Sequence, residues 1–421
     1  MTSRWLLAAW LLALSGCASN AHYPLNRPAD DAPSITNEAR AGIQDHDDLL
    51  LVLSFSGGGT RAAALAYGVL ETLAGQQIMR DGEARNALEE VDIISSVSGG
   101  SFVAAYYGLY SKRLFSDFEH RFLKRDIEAD LTNELLKTEN LSRITSAYFG
   151  RSDVLAEYYD RALFDGASMQ QLFNNGKPRI LINATRMTRG TQFAFTPNQL
   201  AALNTRPDSI SVGRAVAASS AVPVLFTPIV LRDYQYTDCL TLAWPEDMDA
   251  ELIARETGGC YMHLIDGGVN DNLGLGLLLD GAKADPDPRN VMRQAGYPAT
   301  RRILIILTDA STPIDKRWER TGRVPPTEAV FKATLDIPVV NANQRTLARL
   351  DAIKQTWAQH GIEIEVININ TDLLKDPERR AHLRALPTAL TLPAEDVDAL
   401  RAAARELLLA HPLFQKLKGT K

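Results

Sequence analysis

The feature that most constrains this chain is a short pattern that occurs twice: an apolar strand, a turn of small residues, and a helix of small and apolar side chains. The first copy runs from Leu49 to Phe55, apolar at nearly every position, through Gly57-Gly58-Gly59, into Thr60 to Leu73 with apolar residues at helical spacing. A strand that is apolar on both sides is covered on both faces, the habit of a parallel sheet flanked by helices. The second copy runs from Val91 to Ser95 into Ser96-Val97-Ser98-Gly99-Gly100 and another small-residue helix. Repeated units of this kind cross over to parallel neighbours. The predicted fold class is therefore α/β, with a mostly parallel central sheet and flanking helices.

Further strands are predicted at residues 179–183, 192–196, 263–265, 303–308 and 363–369, and a closing helix from Pro393 to Ala410. With 421 residues the chain exceeds a usual single core, which favours one large domain with insertions, or a large domain with a small one. The expected division is an export signal at 1–16, a tether at 17–48, the α/β core at 49–280, and C-terminal strands and helices at 281–421 that complete it. Within the core, residues 114–173 read as helical. Phe115, Phe118, Phe122, Ile127, Leu131 and Leu135 recur there at spacings of three to five, a core face in preference to a lipid-touching lid. Residues 234–261, acidic and carrying Cys239 and Cys260, read as an insertion.

The start of the chain is of another kind. Arg4 precedes an apolar run from Trp5 to Leu14, too short to span a bilayer and typical of a secretory signal. The following Leu14-Ser15-Gly16-Cys17 resembles the lipobox of bacterial lipoproteins, and that resemblance implies acylation of Cys17 as the first residue of the mature chain. Several acyl chains on one residue anchor stably. Ala18 in place of Asp implies sorting to the outer membrane, facing the periplasm, in a Gram-negative cell. Ala18 to Asp48, with Pro24, Pro28 and Pro33 and no apolar periodicity, is expected to be a tether. An exported chain meets oxidising conditions, so Cys239 and Cys260 either pair or serve as two small buried apolar residues; both readings stand. The formal net charge of -6, with Lys and Arg scattered, weighs against a nucleic-acid partner.

Three segments carry candidate chemistry. Gly57-Gly58-Gly59-Thr60-Arg61-Ala62 turns tightly before a helix, a setting that offers backbone N–H groups to negative charge. A dinucleotide site would need an acidic residue where the second strand ends, and Ser95 and Ser96 stand there. Ser98 lies in a strand-to-helix turn of small residues, which reads as a nucleophile elbow with Ser96 in place of the usual first glycine and Gly100 as the last. His263-Leu264-Ile265-Asp266-Gly267-Gly268 is an apolar strand ending in a carboxylate and two glycines. Alone, each has an ordinary reading as a structural turn.

Together these residues resemble the patatin-like phospholipase family, whose pattern is Gly-Gly-Gly-x-Arg, a Gly-x-Ser-x-Gly elbow and a later Asp-Gly-Gly. Residues 217–226, from Ala217 to Phe226, are similar to the family's segment between elbow and Asp. The likeness runs from Leu49 to Leu278, with Ser96 its one departure. It implies a three-layer α/β fold and a serine acyl hydrolase of phospholipase A or lysophospholipase type. Ser98 would be its nucleophile and Asp266 its base. Gly57, Gly58 and Gly59, with Arg61, would shape an oxyanion loop, and Ser96, Gly100, Gly267 and Gly268 would frame the two motifs. A membrane lipid is the implied substrate; no metal and no cofactor are implied. The motifs encode acyl transfer and not the head group, so esters or thioesters other than phospholipids stay open, as does a non-catalytic lipid-binding lipoprotein. A triad built on Asp266 would draw its histidine from His360, His382 or His411, none in a convincing setting, while His263 lies three residues before Asp266 and so on the opposite face of its strand. A Ser-Asp dyad is the expectation.

Overall fold

The computed structural model describes residues 20–29, 48–80, 82–236, 259–311 and 316–419. In chain order its strands are β1 (Leu49–Phe55), β2 (Gln77–Arg80), β3 (Glu83–Asn86), β4 (Ile93–Val97), β5 (Arg179–Arg186), β6 (Thr191–Phe195), β7 (Ile229–Arg232), β8 (Tyr261–Asp266), β9 (Arg302–Thr308) and β10 (Glu363–Ile369). The helices used below are α1 (Gly59–Ala74), α2 (Gly99–Tyr110), α3 (Arg151–Tyr159), α4 (Val212–Ser219), α5 (Thr327–Ala358) and α6 (Ala394–Ala410).

β1 is buried along its whole length because it feeds two cores at once. Leu49, Leu51, Leu53 and Phe55 join the cluster containing Ala62 to Ala66 of α1 and Phe102 of α2; Leu50 and Val52 join a second with Leu273, Leu350 and Trp357. Alternation along a strand turns one apolar run into two faces, and each leucine so buried is worth about 2 kcal/mol relative to exposure. The result is three layers, helix, sheet and helix. The central sheet has eight strands in the order β10-β9-β1-β4-β5-β8-β7, with β6 on β5. Its pairs from β10 through β5 are parallel, as the repeated strand-turn-helix pattern predicted. The aromatic stripe of residues 114–173 is core: Phe118, Phe122, Ile127 and Leu131 are buried, with Phe115 and Leu135 packed against them. The C-terminal helix α6 closes over α1 at Gly68, where an added Cβ would stand 2.7 Å from the Arg401 carbonyl oxygen.

Three arrangements lie beyond the sequence reading. β7 and the β2–β3 hairpin were not foreseen; each strand has only four residues, too few for periodicity to register. β8 runs antiparallel to β5. Its last residue, Asp266, pairs with Ala184, one step beyond the Asn183 that pairs with Val97 at the end of β4. The carboxylate thus meets the elbow from the opposite direction rather than from the shared C-terminal edge of parallel strands.

The third concerns the expected tether, part of which is docked. Asn26 donates to Thr205 Oγ1 at 2.6 Å and to the Arg232 carbonyl at 2.8 Å, and accepts from the Arg232 amide at 2.7 Å. The Tyr23 amide donates to the Tyr148 carbonyl at 2.8 Å, and Tyr23 is buried under Arg214. Polar pairing with a neighbouring strand fixes this stretch, and such pairing leaves no apolar period to read. Cys17 and the signal segment lie outside the described residues. So do 237–258 of the expected insertion, including Cys239; Cys260 is disulfide-bonded. No helix among the described residues is long and apolar enough to cross a membrane.

Candidate active site

Ser98 lies between the end of β4 and the start of α2, as the N-cap of that helix, with φ 49 and ψ -119, a strained conformation for a residue with a side chain. Small neighbours make the turn possible. An added Cβ on Gly99 would lie 2.0 Å from the Gly59 carbonyl oxygen, and one on Gly100 would meet Phe55 at 2.7 Å. The departure at Ser96 is accommodated: its buried side chain donates to the Leu181 carbonyl on β5 at 2.9 Å.

The elbow is clamped by its own amide. Ser98 N–H donates to Ser219 Oγ at 2.9 Å, and Ser219 Oγ donates to the Asn183 carbonyl at 2.6 Å. The Ser101 hydroxyl joins Ser219 at 2.9 Å. The same turn after α4 holds the other motif, since Gly267 N–H donates to the Ser219 carbonyl at 3.1 Å and Asp266 N–H to the Ala221 carbonyl at 2.9 Å. Ser98 and Asp266, far apart in sequence, are therefore referred to one bracket of three residues.

Asp266 is almost wholly buried, with the Ser98 side chain close enough to favour its charged form. Its Oδ1 also accepts the Gly268 amide at 2.7 Å. Burial drives its pKa from 3.8 up to about 6, against the opposing pull of the Gly268 amide and the Ser98 hydroxyl. A carboxylate so desolvated has gained basicity and remains ionised near neutrality, as a proton acceptor must.

Beside the elbow lies the glycine loop. Gly57 N–H is taken by the Asn272 carbonyl at 3.0 Å and Thr60 N–H by the Ala389 carbonyl at 2.8 Å. Gly58, at φ 136, and Gly59, at φ 61, lie between them, and their amides have no acceptor among the described residues. Arg61 of the same loop reaches towards the 386–388 segment. It is buried and donates to the Leu386 carbonyl at 2.7 Å and to Thr388 at 3.2 Å, beside the Ala389 carbonyl that holds Thr60 N–H. Burial lowers its pKa to about 10, which leaves it charged.

Sequence reasoning did not single out Ser219, Asn183 or Asn272. Ser219 lies in the 217–226 segment that was noticed without a role, and Asn183 interrupts an apolar strand; each was a signal without a partner. The histidines are occupied elsewhere. His382 pairs with Asp396 at 2.5 Å, His360 with the Thr356 carbonyl at 3.0 Å, and His411 caps Leu413 at 3.3 Å. His263 is half-buried on the other face of β8, with its pKa lowered by burial. Among the described residues no group of three His, Cys, Asp or Glu gathers to hold a metal ion.

A serine on a strand-to-helix elbow, a buried carboxylate tied to the same turn, and two glycine amides without acceptors among the described residues at a neighbouring helix start are the parts that a serine hydrolase uses. The sequence model of the patatin-like phospholipase family matches residues 53–279, just over half the chain and all three motifs. The chain belongs to the patatin-like phospholipase family, whose members are lipid acyl hydrolases. No curated protein sequence matches it. Among solved structures it is similar to human GIVD cytosolic phospholipase A2, at 12% identity and a TM-score of 0.40, over 86% of this chain and 58% of that one. The complex of that human enzyme with methyl gamma-linolenyl fluorophosphonate gives 13% identity and a TM-score of 0.40, over 90% and 59%. The chain thus spans less than two thirds of the length of those structures.

Proposed function

We propose that the protein is a bacterial lipoprotein that cleaves fatty acyl esters of membrane phospholipids through an acyl-enzyme, with Ser98 as nucleophile and Asp266 as base. The observation that carries the reading is that the Ser98 elbow and the buried Asp266 carboxylate are tied to one turn, Ser98 N–H to Ser219 Oγ at 2.9 Å and Asp266 N–H to the Ala221 carbonyl at 2.9 Å. In acylation, Asp266 takes the hydroxyl proton as Ser98 Oγ attacks the ester carbonyl, and the Gly58 and Gly59 amides receive the developing oxyanion. Collapse of the tetrahedral intermediate expels the lysolipid alkoxide, which takes the proton from Asp266. Water then attacks the acyl-serine, giving its proton to the same carboxylate, and the fatty acid leaves as Ser98 recovers that proton. Acylation of Cys17, read from the lipobox resemblance, would hold the enzyme at the outer membrane of a Gram-negative envelope.

Labelling with a serine-reactive fluorophosphonate tests the chemistry. The wild-type chain should label and Ser98→Ala should not; equal labelling of both would overturn the assignment. Release of fatty acid and lysolipid from phospholipid vesicles would then separate the phospholipase reading from esterase action on other substrates.

A further inference from the structure

The chain just after Cys17 docks beside the candidate site. The His22 ring stacks on Tyr148 with centroids 5.1 Å apart, next to the backbone bond from Tyr23 to Tyr148. Three residues after Tyr148, Arg151 at the start of α3 donates to the Val224 carbonyl at 2.9 Å, and Ser152 N–H donates to Thr227 Oγ1 at 3.1 Å. The loop so gripped is tight, closed by Phe226 N–H on the Val222 carbonyl at 2.9 Å, with Val224 and Leu225 at its tip. It begins at Ala221, whose carbonyl holds Asp266. Docked segment, loop tip and catalytic carboxylate are thus neighbours in one continuous set of contacts.

That tip is built at a cost to the fold. Val224 has φ 72, a left-handed conformation that a β-branched residue rarely adopts, and it is 68% exposed. Leu225 is 52% exposed and Tyr148 59%. Strain that presents two apolar side chains to solvent gains nothing within the folded chain. Meanwhile Cys17 precedes Asn20 by only three residues, a reach of at most about 11 Å even when extended. An acyl group there holds the Tyr148 side of the molecule against whatever surface the acyl chains enter.

We propose that Tyr148, Val224 and Leu225 form a membrane-insertion patch, pressed into the leaflet that carries the Cys17 anchor so that the Ser98 site opens onto that same leaflet. The proposal rests on the lipoprotein reading above. The occupant is the bilayer interface, where an aromatic, two aliphatic side chains and the rim cation Arg151 suit the boundary between acyl chains and head groups. With a net charge of -6 and no basic cluster, apolar insertion supplies the second attachment that long-range charge does not.

The test uses the acylated full-length mature protein in vesicles of phosphatidylethanolamine and phosphatidylglycerol. Intact mass reports acyl chains on Cys17 independently of activity; their absence sinks the lipoprotein reading and this proposal with it. A nitroxide on Leu225→Cys should be shielded from a water-soluble nickel relaxant when the protein is anchored. Leu225→Asp should lower hydrolysis of the vesicle's own lipid about tenfold or more, the effect of withdrawing a large apolar side chain from an apolar phase. Hydrolysis of a water-soluble short-chain ester should stay unchanged. Val224→Asn, which suits the positive φ, should raise Tm while lowering vesicle hydrolysis, so that loss of fold cannot imitate loss of insertion. An acylated protein with a nickel-exposed label, and with vesicle hydrolysis unaltered by both substitutions, overturns the proposal while leaving the lipoprotein and hydrolase readings intact.

Discussion

The two strand-turn-helix units of this chain begin from the same local pattern and end with opposite offerings. In the turn between β1 and α1 the side chains are absent and the backbone is available: the Gly58 and Gly59 amides have no acceptor among the described residues, while the flanking Gly57 and Thr60 amides are tied to Asn272 and Ala389. In the turn between β4 and α2 the backbone is committed and the side chain is available. Ser98 has its amide held by Ser219 Oγ, and its side chain lies near enough to Asp266 to favour that carboxylate's charged form. The turns touch, since Gly99 leaves no room for a Cβ beside Gly59. One architecture thus leaves backbone amides without acceptors among the described residues on one side and a serine side chain on the other, and what differs is which half of each residue the surroundings restrain.

The largest expected effect comes from removing what the second turn serves. Asp266→Asn should lower turnover on the order of 10³-fold or more, because the amide accepts no proton from Ser98. It should also stabilise the fold. Asp266 has a folded pKa of about 6 against 3.8 when unfolded, so its contribution favours folding at acid pH and is lost as pH rises through about 6. At neutral pH the buried ionised form costs at most about 3 kcal/mol, which Asn removes. Turnover by the wild type should fall below pH of about 6 as the carboxylate protonates. An active Asp266→Asn, or a pH profile flat through that region, would contradict the base role.

Gly58→Val attacks the first turn. At φ 136 a β-branched residue is strained, and the loss of donor geometry should reduce turnover about a hundredfold with the fold retained. Near-normal turnover in a folded Gly58→Val would mean that the two turns do not divide the work as described.

Ser219→Ala probes the clamp on the second turn. Ser98 N–H would be left without its acceptor in a buried setting, at about 1–3 kcal/mol. A merely structural role predicts lower Tm with unchanged kcat. A positioning role predicts kcat down about tenfold, roughly 1.4 kcal/mol of barrier, with KM little moved, and fluorophosphonate labelling slowed in parallel. The smallest effects are expected at the histidines: His263→Ala, His360→Ala, His382→Ala and His411→Ala should each keep most of the activity, and one as damaging as Ser98→Ala in a folded protein would replace the dyad by a triad.

What could be read in advance was what is local. The runs from Leu49 to Phe55 and from Glu363 to Ile369, the glycine turn, Ser98 and the Asp266 strand end all announce themselves within a few residues, because strand period, turn chemistry and helix starts are short-range properties. Ser219 could not be read the same way, since its hydroxyl matters only through Ser98 and Asn183, both distant in sequence. The direction of β8 was also hidden: alternation along a strand fixes which face a side chain takes, not which way the chain runs. The docking of residues 20–29 depends on Asn26 matching the backbone of Arg232, a fit that composition does not encode.

If Asp266 is the base proposed above, the antiparallel entry of β8 makes catalytic competence a late event in the life of the chain. Ser98 stands at the end of a strand flanked by β1, made before it, and β5, whereas its proposed proton acceptor arrives only when a strand made later still pairs with β5 against the prevailing direction. Long-range pairing of this kind is among the slower steps of folding. A half-assembled chain would carry the serine without its proposed activator, a safeguard that would last until its topology is complete. On refolding, esterase activity should accordingly lag the recovery of helical signal; simultaneous recovery would remove this safeguard.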